Sequence, residues 1–150
     1  MTPRSDMPTF RRLCPALAEA LAQANKGIKA TGLDEALIEL VKLRASQING
    51  CSFCLDVHVA EARRAGLADA KMLMLPAWRE ASVFSVRERA ALAWAEAVTL
   101  VADTHVPDAV YDEARSSFEE GELANLTAAI VAINAWNRVA VAYRFVPKGA

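Results

Sequence analysis

Residues 39–66 read ELVKLRASQINGCSFCLDVHVAEARRAG. Leu33, Leu37, Leu40, Val41 and Ile48 recur at helical spacing, and Asn49-Gly50 is a helix stop. A second helix is expected to begin at Cys51 or Ser52 and run to Ala65, where Gly66 ends it. Cys51 and Cys54 stand three residues apart and His58 follows four later, so all three share one helical stripe. The unpaired amides and positive dipole end of a helix N-terminus favour a thiolate. An imidazole one turn away supplies the base or positive neighbour that a reactive thiol needs. Ten residues separate Glu39 from Asn49 and seven separate Cys51 from His58. An antiparallel hairpin about the Asn49-Gly50 corner therefore brings Glu39 level with His58, where a carboxylate would hold the imidazole. The dipole favours Cys51 as the thiolate and His58 favours Cys54, so the residues alone leave the attacking thiol open.

The rest of the chain sets the frame. Its 150 residues, 54% hydrophobic and 23% charged, are expected to form one domain over 1–150 and exclude intrinsic disorder. Seventeen Lys+Arg against 18 Asp+Glu give a net charge of −1, with no basic excess to neutralise phosphates, so nucleic acid is not an expected partner. The most apolar stretch, 126–136, is interrupted by Thr127 and Asn134 and falls short of the roughly 18–20 residues a membrane span needs. Pro15 and Glu19 break the N-terminal segment, which argues against a secretory signal. Three cysteines are too few, and odd in number, for a secreted disulfide framework. A cytoplasmic protein with reduced thiols at rest is the expectation.

The predicted fold is all-α and multi-helical. A first helix is expected over 9–25, with Thr9 as N-cap and Lys26-Gly27 as stop, and the hairpin helices over 34–48 and 51–65. A short helix over 68–75 ends at Pro76. Ser85 and Glu88 form a capping-box pattern for a helix over 85–103, and another follows over 107–118. The last, 122–145, is the longest and most apolar, with Leu123, Leu126, Ile130, Ile133 and Val141 on its core face. Asn134, Asn137, Arg138 and Arg144 interrupt it and need partners, at a subunit contact or a cavity. So many apolar faces also suggest oligomerisation.

The pattern formed by Glu39, an eleven-residue gap, Cys51-x-x-Cys54 and x-x-x-His58 is specific. With its flanks LRASQINGC and AEARRAG it resembles the core motif of AhpD-like alkylhydroperoxidases, in the carboxymuconolactone decarboxylase superfamily. Residues 104–108 and 132–144 resemble the C-terminal part of that family. The resemblance implies a single all-helical domain with the CxxC at a helix N-terminus, assembled as a trimer or hexamer. It implies a thiol-dependent peroxidase, or disulfide oxidoreductase, that needs no cofactor. In that reading Cys54 is the peroxidatic thiol, Cys51 resolves it, and His58 and Glu39 relay protons. The substrate would be a hydroperoxide. The reductant would be a lipoyl-bearing protein, a thioredoxin-like protein or a small thiol. The best-characterised branch carries a histidine just before the second cysteine; Phe53 stands there in this chain, so the relay has one titratable group fewer.

Competing readings attach to the same residues. Cys51, Cys54, His58 and Glu39 could supply four zinc ligands, although a second CxxC or a downstream His pair is missing. A lactone decarboxylase on the same scaffold would have no need of a dithiol. Glu39 alone would be a solvated helix position paired with Lys42. Cys14, before Pro15, reads as structural, His105 as a loop or capping residue, and Arg44 as half of a surface ion pair. Trp78, Trp94 and Trp136 read as core or interface anchors.

Overall fold

Pro15 splits the first predicted helix in two. In the computed structural model, which describes residues 2–147, α1 spans Met7–Leu13 and α2 spans Pro15–Lys29. A residue before proline is disfavoured in the helical region, and Cys14 sits at φ −130° and ψ 64°. Pro15 then opens α2 where its missing N–H has no helical partner to lose. The cap of α1 is Asp6, whose carboxylate accepts the Thr9 N–H at 2.8 Å, so Thr9 lies inside the helix. Gly27 does not stop α2. A single helical glycine costs only about 1 kcal/mol, and burial of the next residue, Ile28, offsets it.

The hairpin forms as expected. α3 (Glu35–Ile48) is capped by Asp34 and closes at Asn49, and Gly50 turns the chain at φ +63°. α4 (Ser52–Arg64) begins with Cys51 as its N-cap. α5 (Asp69–Met74) runs into a 3-10 turn at Leu75–Ala77. The Ser85–Glu88 capping box opens α6 (Val86–Thr99). The helix predicted over 85–103 breaks at Leu100, and α7 (Val101–Thr104) follows. There the Thr104 hydroxyl turns back to donate to the Ala97 carbonyl at 2.7 Å, taking up a carbonyl of the last turn of α6. α8 is Asp108–Ser117 and α9 is Glu120–Tyr143. The described residues are all-helical, without a strand.

α3 lies at the centre, packed against α4, α6 and α9. Ile38, Leu40 and Leu43 of α3 meet Leu92 of α6 and Leu126 and Ile130 of α9 in the main core. Each such side chain contributes about 1.5–3 kcal/mol on burial. On α9, Leu123, Leu126, Ile130 and Ile133 are buried, but Val141 is 47% exposed. Eight residues after Ile133 is about 80° past two full turns, whereas seven is nearly in register, and Ala140 takes the buried place. By length and composition alone α9 is apolar enough to cross a bilayer; in the fold it packs against α2, α3 and α6.

Arg44 is not a surface ion pair. Its Nε donates to Glu96 Oε1 at 2.7 Å, Trp78 Nε1 donates to the same oxygen at 2.8 Å, and Arg79 reaches Oε2 at 2.6 Å. Burial pushes the Glu96 carboxyl up, but the bonds from Arg79, Trp78 and Arg44 outweigh it and hold Glu96 below its ordinary range. This cluster ties α3 to α6.

A second, smaller apolar cluster lies apart from the main core. It holds Phe10, Ala45, Cys51, Cys54, Ile133, Ala140 and Phe145.

Candidate active site

The corner that carries the dithiol is bolted to α9. Asn49 Nδ2 donates to Asn134 Oδ1 and to Asn137 Oδ1, both at 2.9 Å. Asn137 Nδ2 donates to Ser46 Oγ at 3.1 Å, and Asn134 Nδ2 to Thr99 Oγ1 at 3.0 Å. Arg138 donates to the Asn134 carbonyl at 3.0 Å. The polar residues of α9 thus find their partners within the chain. Asn49, a helix breaker in the sequence, is also the donor at the hub of this network.

Cys51 caps α4, and its Sγ accepts the Cys54 N–H at 3.3 Å. The two sulfurs are joined as a disulfide, with Cα atoms 5.3 Å apart. This is the oxidised form of the pair, and both residues are buried. The amide bond to Cys51 favours a thiolate on that sulfur once the pair is reduced.

Glu39 and His58 meet as the hairpin geometry predicts. His58 Nδ1 lies 2.7 Å from Glu39 Oε2. Glu39 Oε1 accepts from Lys42 Nζ at 3.1 Å, so the carboxylate bridges both partners. Its side chain is 2% exposed and that of Lys42 5%. Burial raises the Glu39 carboxyl, but the His58 hydrogen bond and the charges of Lys42 and His58 overcome this and hold it below its ordinary value. An ionised carboxylate only accepts. In the neutral imidazole this bond puts the proton on Nδ1 and leaves the Nε2 lone pair free.

Cys54 and His58 line one cavity of about 730 Å³. Its walls are mostly apolar: Phe53, Val57, Ile133 and Trp136 from the hairpin and α9, and Met7 and Pro8 from α1. Arg11 and Asp6 bring charge to it, and Asn25 adds an amide. Trp136 is half-buried and meets Phe10 edge-on, with ring centroids 6.3 Å apart. Trp78 and Trp94 belong to the main core, the latter donating to Thr127 Oγ1 at 2.9 Å. Cys14 is a free thiol packed against the second cluster, and His105 caps α7 in a left-handed conformation. Neither lines the cavity. Among the described residues, no three of His, Cys, Asp and Glu are gathered as a metal site.

Three contributors to the site are faint in the sequence. From sequence Lys42 reads as the i+3 partner of a solvated Glu39, Asn49 as a breaker, and Trp136 as a core or interface anchor.

A model of the Carboxymuconolactone decarboxylase family matches residues 15–97, more than half of the chain. The chain belongs to this family. Within the carboxymuconolactone decarboxylase family it is AhpD-like. It is 33% identical over 138 residues to the uncharacterised protein YdfG of Bacillus subtilis, covering 92% of this chain and 94% of that one. A segment of 36 residues, 24% of this chain and 21% of the other, is 53% identical to the alkyl hydroperoxide reductase AhpD of Maricaulis maris. Among solved structures, a protein of unknown function from Agrobacterium tumefaciens, a candidate antioxidant defence protein AhpD, superposes with a TM-score of 0.89. It shares 39% identity over 95% of this chain and 96% of its own. The debrominase Bmp8 has a TM-score of 0.79 at 24% identity, over 89% of this chain and 72% of its own; that likeness is one of fold.

Proposed function

We propose that the protein is a thiol-dependent peroxidase that reduces a hydroperoxide through Cys51 and Cys54. One observation carries this reading: a disulfide-forming pair at the start of α4 whose second member shares a cavity with His58, an imidazole fixed by a buried carboxylate. In the reduced protein His58 Nε2 takes the proton of the Cys54 thiol. The thiolate attacks the peroxide, the O–O bond breaks, and Cys54 becomes a sulfenic acid while the alkoxide takes the proton back from His58. The Cys51 thiol then gives up its proton and attacks the Cys54 sulfur, the S–O bond breaks as the disulfide forms, and the departing hydroxide takes that proton and leaves as water. Two electrons have passed from the dithiol to the peroxide. Two equivalents of an external thiol return them and leave as a disulfide. Glu39 touches no reacting atom; it is a positioning residue that fixes the tautomer of His58. The N-cap bond favours a thiolate on Cys51, which suits the resolving attack, and the cavity that Cys54 shares with His58 supports giving it the first attack.

The test is to add one equivalent of cumene hydroperoxide to the reduced protein and read intact mass and free thiols. The expected result is a loss of about 2 Da, as two thiols become one disulfide, mapped to Cys51 and Cys54. Cys54→Ser abolishes turnover and Cys14→Ser does not. Persistence of all three thiols overturns the proposal.

A further inference from the structure

The space around the dithiol is divided by a wall. Phe53, Ala140, Phe145 and Val146 line both the large cavity and a second one of about 380 Å³. Cys54 and His58 line the large cavity and not the small; Cys51, with Gly50 and Ser52, lines the small and not the large. Phe53 stands in sequence between the two cysteines, and its ring meets that of Phe145 edge-on with centroids 5.4 Å apart. Phe145 is fixed in turn by its amide bond to the Ala140 carbonyl at 3.0 Å and by the ring of Phe10. The bonded sulfurs therefore belong to residues that address two different spaces. Their charges differ as well. The large cavity has Asp6, Arg11 and His58 on its walls, whereas Arg144 is the one charged residue among the described residues lining the small cavity, and it is half-buried.

We infer that the small cavity admits the reductant, a thiol bearing a carboxylate that Arg144 attracts, and that this thiol attacks Cys51. The inference rests on the dithiol-peroxidase reading above. The incoming thiolate bonds to Cys51 Sγ and the Cys51–Cys54 bond breaks. Cys54 leaves as a thiolate on the side lined by His58, and the proton released when the incoming thiol ionised returns to it from solvent through His58 Nε2. A second equivalent of the thiol then attacks the reductant sulfur of the mixed disulfide. Cys51 leaves as a thiolate that accepts the Cys54 N–H, the bond its sulfur already receives at 3.3 Å. A stabilised leaving thiolate leaves faster. The reductant departs as its own disulfide, and the dithiol is restored. Because hydroperoxide and reductant use opposite sides of the wall, excess reductant does not compete with hydroperoxide for one site.

The experiment uses the full chain, oxidised chemically with diamide so that it does not depend on peroxide. Its disulfide is reduced with 3-mercaptopropionate, which is anionic, and with 2-mercaptoethanol, which is neutral and of similar size. Rates are taken per unit of thiolate. A carboxylate beside one partly exposed guanidinium is expected to favour the anionic thiol by about threefold at low salt. Arg144→Gln removes that preference and Arg144→Lys restores it, while the rate with the neutral thiol changes little. Quenching early with acid and mapping the mixed disulfide is expected to find the adduct on Cys51. An adduct on Cys54 overturns the assigned entrance, and an unchanged rate ratio in Arg144→Gln overturns the acidic reductant. Failure of hydroperoxide to oxidise the reduced protein is a separate result, and it counts against the peroxidase reading instead.

Discussion

Replacing Glu39 by Leu tests whether its carboxylate serves the imidazole or only its buried lysine. Glu39 and Lys42 are 2% and 5% exposed at their side chains, and their charges meet at 3.1 Å. Removing the carboxylate strands a buried ammonium, and breaking such a pair from one side costs about 3–5 kcal/mol. That is a large share of the roughly 5–15 kcal/mol that holds a domain folded. For a chain of this size it corresponds to a fall in melting temperature of roughly 6–20 °C. Adding Lys42→Met removes the stranded charge, and the double variant is expected to return to within about 1–2 kcal/mol of the starting protein, because apolar replacement of a buried pair is often near neutral. Activity should not return with stability. Without Glu39 nothing fixes the proton on His58 Nδ1, and oxidation by hydroperoxide should remain slower by about 10²-fold, the low end of general acid–base contributions. Denaturant midpoints and the single-turnover loss of thiols measure the two effects independently. A double variant that regains both stability and full rate would refute the relay, leaving Glu39 as a counter-ion for Lys42. A cost below about 1 kcal/mol in Glu39→Leu alone would refute the buried-pair argument, since that is the range of exposed pairs.

Three further outcomes follow from the same structure. Glu39 and Glu96 both ionise more readily in the fold than at the ordinary 4.5. Their contribution is therefore complete above that value and is lost as pH falls through their lower folded values, so denaturant midpoints should drop steeply on acidification below about 4.5 and less steeply in Glu96→Gln. Asn49→Ala leaves the Asn137 Oδ1 acceptor without its donor, while Asn134 Oδ1 keeps its bond from Arg138 at 2.9 Å, and should cost about 1–3 kcal/mol, read by thermal unfolding. Leu92→Ala, in the fully buried core, should cost about 2–5 kcal/mol while leaving the rate of thiol oxidation unchanged.

Much of the site was legible because its signals are local. Asn49-Gly50 breaks one helix, Cys51 caps the next, and the near-equal arms of the hairpin set Glu39 against His58. The Ser85–Glu88 box marked its helix start for the same reason. Local rules also carried a signal that propensity masked: the alanine-rich run after Cys14 reads as continuous helix, yet Pro15 forces its predecessor out of helical geometry. What the sequence withheld depends on distant contacts. Arg44 reads as a surface cation until Glu96, 52 residues away, is seen between it and Trp78. Lys42 sits on the face of α3 that the hairpin buries, and only the packed helices show that its charge has nowhere else to go. The cavity wall joins Met7 and Pro8 to Trp136 and Phe145, a meeting that no periodicity encodes.

The second apolar cluster has a consequence for how the scaffold changes over time. Cys51, Cys54 and the rings that surround them pack among themselves, while the residues that fix the helical frame form a separate core. Substitutions at Phe53 or Trp136, both only half-buried, therefore reshape the chamber at less cost to the frame than a change in its main core. A lineage can retune what enters beside the dithiol in small tolerated steps, keeping the hairpin and its buried Lys42–Glu39–His58 chain as a fixed chassis.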